Sequence, residues 1–295
     1  MPLILRNQNR SLRAQLPLQA ILVPNSAQDI AKSIKIINFF SVPFAVRSGG
    51  HTPFLGSAST SNGILISLQN LTTLALSESK DLVSVGPGNR WIKVYVFLEP
   101  HNLTVVSGRV PSVGVGGLTT GSGNSYFKFS TGYGMACDNV ASFEVVTANG
   151  SIATAFATEN KDLFWGPKGR SNNFGIVTRF DLFAIPIPNG KVWGGNTVFS
   201  PQQTNNVTNA IAEYQTNGQL ADPDAAVIPS LTYVPQLNST AFMVTVFHAS
   251  SQKQKSLDPL FKVGPLSDSS KQRSLQEMAR EAGGGDNTPL EPPLR

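Results

Sequence analysis

Three glycine-rich segments are the part of this chain that could bind a charged ligand. Each follows an apolar run that predicts a β-strand, and the segments cover residues 46–51, 113–123 and 172–177. Consecutive glycines let the backbone take positive φ angles, so that successive N–H groups can converge on an anion such as a diphosphate. The segments could instead be plain turns in a β-rich fold, and the residues alone favour turns.

The spacing of the glycines argues against two common nucleotide sites. A Rossmann site needs Gly-x-Gly-x-x-Gly, but Thr119 stands where the third glycine would follow Gly114. Tyr126 stands at the same place after Gly121. No P-loop pattern occurs either. The glycine-rich segments therefore predict neither a Rossmann site nor a P-loop.

The other chemically active residue types do not form a recognisable site. Cys137 is the only cysteine, so the sequence predicts no disulfide and no thiolate metal site. The three histidines, His51, His101 and His248, lack the close spacing of a zinc motif. We therefore expect no bound metal.

Short helices and strands must position the glycine-rich segments. Ser26 and Asp29 form an N-cap pattern that predicts a helix over residues 27–40. Apolar spacing predicts further helices over 91–98 and 274–282. Strands are predicted at 43–46, 63–68, 82–86, 103–107, 174–185 and 240–248, with a hairpin over 143–155 that turns at Asn149-Gly150.

Composition and charge exclude several classes of protein. Hydrophobic residues make up 40% of the 295 residues, enough for a core, and charged residues only 14%. The net charge of +5 arises within residues 1–50, and no later element carries a basic stripe, so nucleic-acid binding is not expected. The longest apolar run, residues 36–46, is too short to span a membrane.

Five motifs in a fixed order resemble one family. They cover residues 43–51, 113–117, 134–140, 162–165 and 173–178. In this order they resemble the berberine bridge enzyme-like flavoproteins, especially the fungal branch, of the vanillyl-alcohol oxidase superfamily. The resemblance extends over roughly residues 20–280. Each motif alone is weak, but five in register are specific.

The resemblance implies an α+β fold with two domains. Residues 1–187 would form a PCMH-type FAD-binding domain made of two α/β subdomains. Residues 188–295 would form a partial antiparallel-sheet substrate domain, because the glycine-rich motifs stop before Pro188. Residues 283–293, rich in glycine and proline, predict a disordered C-terminal tail. Compared with the family, the chain looks truncated at both ends.

The resemblance also implies a covalently bound FAD. His51 matches the family's histidine that bonds to the flavin 8α-methyl group. Val110 stands where many plant relatives carry a cysteine for a second bond, so attachment through His51 alone is implied. Cys137 matches an ordinary family position and is predicted to be a buried structural thiol.

The remaining implied cofactor contacts come from the glycine-rich segments and the stretch between them. They are Arg47, Ser48, Gly49, Gly50, Val113, Gly114, Gly116, Gly117, Gly121, Gly123, Asp138, Asn139, Gly175, Ile176 and Val177. The first four match the loop that holds the diphosphate through backbone N–H groups. Asp138 and Asn139 could instead form a hydrogen-bonded turn. Arg170 departs from the family, which has a small residue there.

The function that the resemblance implies is FAD-dependent oxidation. Hydride would leave an alcohol, sugar or amine carbon of a small molecule, and dioxygen would take the electrons. No catalytic base can be named, and Tyr233 is expected to be an ordinary strand tyrosine. The alternative is a truncated, catalytically inactive flavin-binding remnant, and we expect little or no oxidase activity from these residues. A monomer is expected.

The sequence offers weak support for secretion. Six Asn-x-Ser/Thr sequons, somewhat more than composition gives by chance, begin at Asn9, Asn70, Asn102, Asn149, Asn206 and Asn238. The family resemblance likewise implies a secreted glycoprotein. The apolar stretch at residues 3–5 is too short for a signal-peptide core, so the localisation stays open.

Overall fold

The computed structural model describes residues 16–127, 132–171, 173–234 and 238–282. The predicted tail over residues 283–293 lies outside the described residues, as do Asn9 and Asn172. The chain forms two units. One comprises the residues up to Val94 with Ser112–Gly123 and Met135–Ala184, and the other comprises Tyr95–Pro111, Asn124–Gly134 and the residues from Ile185 onward. The domain boundary near residue 187 stays a prediction.

The helices and strands are numbered in chain order. In the first half they are β1 (Ala20–Leu22), α1 (Ala27–Phe39), β2 (Phe44–Arg47), β3 (Ile64–Ser67), β4 (Leu74–Leu76), β5 (Leu82–Val85), α2 (Trp91–Leu98), β6 (Leu103–Thr104), α3 (Val115–Thr120), β7 (Val140–Val146), β8 (Ile152–Phe156) and α4 (Lys161–Trp165). In the second half they are β9 (Ile176–Phe183), β10 (Ile185–Pro186), β11 (Val192–Phe199), α5 (Thr204–Glu213), α6 (Gln219–Ala221), β12 (Ala225–Val234), β13 (Ser239–His248), α7 (Asp258–Lys262), β14 (Ser267–Asp268), β15 (Lys271–Arg273) and α8 (Leu275–Ala282).

The first unit contains a small parallel sheet in the order β1-β3-β2. Helix α1 covers it with Ile30, Ile34 and Ile37, which are buried against Ile66 and Leu68. These isoleucines recur at steps of three and four, the spacing that places side chains on one face of a helix. The predicted helix over 27–40 is therefore confirmed.

A five-stranded antiparallel sheet, in the order β4-β5-β9-β7-β8, completes the first unit. Strands β7 and β8 form the predicted hairpin. At its turn, the Asn149 side-chain oxygen accepts from the Ser151 amide at 3.0 Å. Gly150 has a φ of 74°, which disfavours other residues. The Asn-Gly turn prediction is confirmed.

The second unit is built on one antiparallel sheet in the order β12-β13-β11-β14, and β15 also pairs with β11. Trp193, Phe199 and Val246 of this sheet pack with Val207 of α5 and Leu260 of α7 to form the core. Strand β13 confirms the predicted strand over 240–248, and α8 confirms the helix over 274–282.

Two local predictions need correction. The strand over 103–107 is reduced to Leu103–Thr104, because the Ser107 amide donates to the Ser125 side chain at 3.2 Å instead of to a strand. The second glycine-rich segment contains a helix, α3, where a plain turn was favoured. Its start is stabilised by contacts with residues distant in the chain, which sequence spacing does not reveal.

Within the described ranges, no helix is long and apolar enough to cross a membrane. Nor do three or more histidine, cysteine or acidic side chains cluster there in a way that could hold a metal ion.

Ser26→Ala should lower the free energy of unfolding by about 1 kcal/mol, because the Ser26 side chain accepts from the Asp29 amide at 3.1 Å and caps α1. Urea titration of the variant measures the change. The exposed loop residue Ser61 supplies the control, and Ser61→Ala should leave stability unchanged. Equal stability of both variants with the wild type would contradict a stabilising cap.

Candidate functional site

The first glycine-rich segment leaves the parallel sheet at the end of β2. Arg47 is the last residue of that strand and is buried. Gly50 is buried with a φ of 62°, which favours glycine. Gly49 does not share this left-handed conformation, so only one of the two glycines meets the expectation of a positive φ. Gly49 is constrained by a neighbouring backbone instead.

The first and second glycine-rich segments touch backbone to backbone. A Cβ on Gly49 would lie 2.5 Å from the Gly114 Cα, and a Cβ on Gly114 would lie 2.5 Å from the Gly49 Cα. The Ser48 hydroxyl accepts from the Gly116 amide at 3.2 Å, while a Cβ on Gly116 would come within 2.9 Å of Ser48. Only glycine permits this approach.

A third segment, residues 86–91, binds both loops. The Arg90 guanidinium donates through Nη1 to the Gly49 carbonyl at 2.5 Å and to the Ser112 carbonyl at 2.7 Å. The Asn89 carbonyl accepts from the Val115 amide at 3.0 Å, and the Trp91 amide donates to the Val113 carbonyl at 3.1 Å. These bonds fix the two glycine-rich loops to one support.

Sequence reasoning did not identify Arg90 as part of the site. A signal was present, because Gly86-Pro-Gly-Asn-Arg90 is a turn sequence that connects the predicted strand over 82–86 to the predicted helix over 91–98. Nothing in that spacing shows which distant carbonyls the arginine would reach.

The first loop contains two backbone donors with no hydrogen-bond acceptor in the described part of the chain. Among the residues that the structure describes, the Gly49 and Gly50 amides donate to no backbone or side-chain acceptor. Buried amides in folded proteins are almost always paired. Since Gly50 is buried, its amide is a candidate donor to a bound ligand. His51, exposed, follows directly.

The end of the second glycine-rich segment meets the stretch around Asp138. The Ala136 amide donates to the Gly123 carbonyl at 3.0 Å, and the Cys137 amide donates to the Ser122 carbonyl at 2.9 Å. Gly121, which ends helix α3, immediately precedes these residues. The structure therefore brings the predicted positions at 121–123 and 138–139 together.

Asp138 and Asn139 take part in a hydrogen-bonded turn. The Asp138 carboxylate accepts from the Met135 amide at 2.9 Å, and the Asn139 side chain donates to the Met135 carbonyl at 2.8 Å. Cys137 is buried, as expected, and burial raises the pKa of its thiol. Burial lowers the pKa of the nearby Lys168 ammonium, while the charge of Asp138 acts to raise it.

The third glycine-rich segment enters β9. Gly175 has a φ of 140°, and a Cβ there would lie 2.6 Å from a Val145 methyl group. Ile176 is buried in the cluster against which Val46, just before the first loop, also packs. Val177 is buried as well. The core of the first unit thus positions the first and third segments together.

Arg170 does not intrude into the third segment. Its guanidinium stacks 3.9 Å above the ring of Trp165, whose side chain is exposed. The long side chain therefore lies at the surface, and a small residue is not required at this position. Cation–π stacking compensates part of the cost of ordering the arginine.

The first unit therefore defines a backbone cradle: the amides of Gly49 and Gly50, closed by Gly114 and held by Arg90. Neutral, preorganised N–H groups of this kind bind the phosphates of a cofactor. The cradle therefore has the donor chemistry that suits a phosphate group.

Comparison with known proteins gives a family match for part of the chain. Residues 17–155 match the family described as FAD binding domain. FAD-dependent monooxygenase prx3 of Penicillium roqueforti is 41% identical over 215 residues, covering 72% of this chain and 41% of that protein. The chain thus spans about two fifths of the length of such curated relatives.

Solved structures show the same fold. 6-Hydroxy-D-nicotine oxidase from Arthrobacter nicotinovorans has a TM-score of 0.82 at 23% identity, covering 96% of this chain and 62% of that chain. A berberine bridge enzyme variant has a TM-score of 0.75 at 22% identity, covering 90% and 53%.

Residues 17–155 therefore match an FAD binding domain, the chain is similar in sequence to fungal FAD-dependent monooxygenases, and its fold is that of berberine bridge enzyme-like oxidases. The resemblance inferred from the five motifs and the expected PCMH-type α+β fold are confirmed.

Gly114→Ala should lower the free energy of unfolding by about 1–3 kcal/mol, the usual cost of overpacking. Its φ of −74° suits any residue, so the cost is purely the clash with Gly49. Gly117→Ala, in the helix α3 that Gly114 precedes as N-cap, is the control, because its Cβ would meet nothing within 4 Å. Urea titration compares the two variants. If they are equally stable, the loops do not require the close approach.

Proposed function

We propose that this chain binds FAD with its diphosphate on the Gly49 and Gly50 amides, as part of an FAD-dependent oxidoreductase. The buried Gly50 amide, at positive φ and with no acceptor among the described residues, is the observation that carries the proposal. A diphosphate supplies several strong acceptor oxygens, and fixed amides bind them without a large reorganisation cost. The FAD binding domain match, residues 17–155, contains the whole cradle.

The second loop would extend the contact along the cofactor. Gly117 is exposed, and a Cβ there would meet nothing within 4 Å, so open space lies beside the first turn of α3. Further contacts are proposed for the other family-matched positions: Arg47, Ser48, Val113, Gly114, Gly116, Gly121, Gly123, Asp138, Asn139, Gly175, Ile176 and Val177. For Ile176 and Val177, which are buried, the contact would come from the backbone at the start of β9.

His51 is proposed as the single covalent attachment point. Its imidazole is exposed directly after the buried Gly50, so the cradle would set where the ring meets the cofactor. One ring nitrogen would bond to the 8α carbon of FAD. Overall, the imidazole and the methyl group each lose one hydrogen, and dioxygen takes both with two electrons as hydrogen peroxide. Val110 offers no thiol for a second bond.

The proposed reaction is oxidation of a small organic molecule at an alcohol, sugar or amine carbon, with dioxygen as the final acceptor. FAD, when bound, supplies the hydride acceptor. The names of the relatives, monooxygenases and oxidases, support this class. No residue is assigned as the base. Tyr233 lies on β12 and donates to the Asn238 side chain at 2.7 Å, consistent with an ordinary strand tyrosine.

After incubation with FAD, the chain should stay yellow through acid precipitation, and His51→Ala should lose its flavin at that step. His101→Ala, an exposed histidine elsewhere in the chain, should retain it. Absorbance at the flavin band and mass spectrometry of flavin-bearing peptides measure the result. A flavin peptide containing Cys137 would contradict the assignment of His51. A colourless wild type would favour the inactive remnant.

A further inference from the structure

We propose that Arg90 is a positioning residue that orients the Gly50 amide toward the diphosphate. The inference rests on the proposed function and adds a residue to that site. Arg90 lies 41 positions from Gly49 in the chain, and its guanidinium donates to the Gly49 and Ser112 carbonyls at 2.5 and 2.7 Å. One side chain thus reaches the first loop and the start of the second.

The planarity of the peptide bond converts this contact into an orientation. The Gly49 carbonyl and the Gly50 N–H belong to one trans peptide unit, so they point in opposite directions. When Arg90 holds the carbonyl on one side, the N–H must point to the other side. Gly50, with its φ of 62°, gives the backbone freedom that a fixed contact must restrict. Arg90 therefore selects one of the orientations that glycine permits.

The chemistry of the contact favours arginine. A guanidinium presents several donors in a rigid, planar fork, whereas a lysine ammonium is a point charge on a flexible stem. The guanidinium charge of Arg90 lies on the carbonyl side of the Gly49–Gly50 peptide. It therefore polarises the N–H on the opposite side and favours an anion there. A half-buried position makes this effect stronger than in bulk water.

Arg90 itself is held by a tight turn. The Asn89 side chain donates to the Thr73 and Gly86 carbonyls, both at 3.1 Å. A Cβ on Gly86 would lie 2.1 Å from the Leu71 carbonyl oxygen, and one on Gly88 would lie 2.4 Å from the Leu68 carbonyl oxygen. The backbone that carries Arg90 is therefore rigid, which suits a residue that must hold two other loops in place.

The first experiment tests whether Arg90 holds the two loops in place, in the 295-residue chain without ligand. Amide hydrogen exchange, followed by mass spectrometry, is measured on peptides covering residues 48–51 and 112–117. Arg90→Met should speed exchange in both peptides. Arg179→Met is the matched control, because Arg179 pairs with Glu144 and Asp181 in the same unit and, within the described part of the chain, forms no hydrogen bond or ion pair with either loop. Unchanged exchange in Arg90→Met would overturn the proposal that Arg90 holds the two loops.

The second experiment separates orientation from general stability. ADP carries the diphosphate, and riboflavin carries the flavin ring without it. Arg90→Met should weaken ADP and FAD binding by about tenfold, the effect of one lost charge-assisted hydrogen bond, and leave riboflavin binding unchanged. Arg179→Met should bind all three ligands like the wild type. Equal loss for ADP and riboflavin would show a merely structural role and overturn the inference.

Arg90→Lys provides the second variant in case Arg90→Met fails to fold. The single ammonium cannot reproduce the fork, so ADP binding should be intermediate, with riboflavin binding unchanged. Wild-type affinity for ADP in Arg90→Lys, or in Arg90→Met, would overturn the positioning role while leaving the proposed function intact. A wild-type chain that binds neither FAD nor ADP would overturn the proposed function itself, and the exchange experiment would still decide whether Arg90 holds the loops.

Discussion

The contact on which the candidate site depends is the backbone approach of Gly49 to Gly114. Neither position has room for a Cβ, since each would place that atom 2.5 Å from the other backbone. Because protein interiors are close-packed, such a contact leaves the backbone of either loop little freedom to move. The Ser48 hydroxyl, the Asn89 carbonyl and the Arg90 guanidinium then connect the paired loops to residues 86–91. The cradle is therefore a consequence of backbone packing, and the groups proposed to bind the diphosphate are its backbone amides.

A backbone site of this kind suits a diphosphate. Neutral donors that are already fixed bind an anion without having to desolvate a competing charge or immobilise a long side chain. The positive charge near the cradle is that of Arg90. Its guanidinium donates to the Gly49 and Ser112 carbonyls, so it would act on an anion through the peptide. Affinity would then depend on the precision of the loop geometry as much as on charge. This is why we place Arg90, distant in sequence, in the same proposed site as Gly50.

Structure that depends on neighbouring residues can be predicted from this sequence, whereas structure that depends on contacts between distant residues cannot. Helix α1 followed from the Ser26 cap and its isoleucine spacing, because both act within a few residues. Helix α3 was missed since its glycines and threonines are weak helix formers. Its start is fixed instead by the Val115 amide on Asn89 and the Gly116 amide on Ser48. The positions of the candidate site came from a family resemblance, and their cofactor contacts stay predictions.

A titration of the isotope-labelled chain with ADP tests the proposed orientation of the Gly50 amide most directly. Nuclear magnetic resonance follows each backbone amide separately. The Gly49 and Gly50 amide protons should shift downfield and saturate together as ADP binds, because each would donate to a diphosphate oxygen. Binding of ADP with both of these resonances unmoved, while amides elsewhere shift, would contradict that orientation.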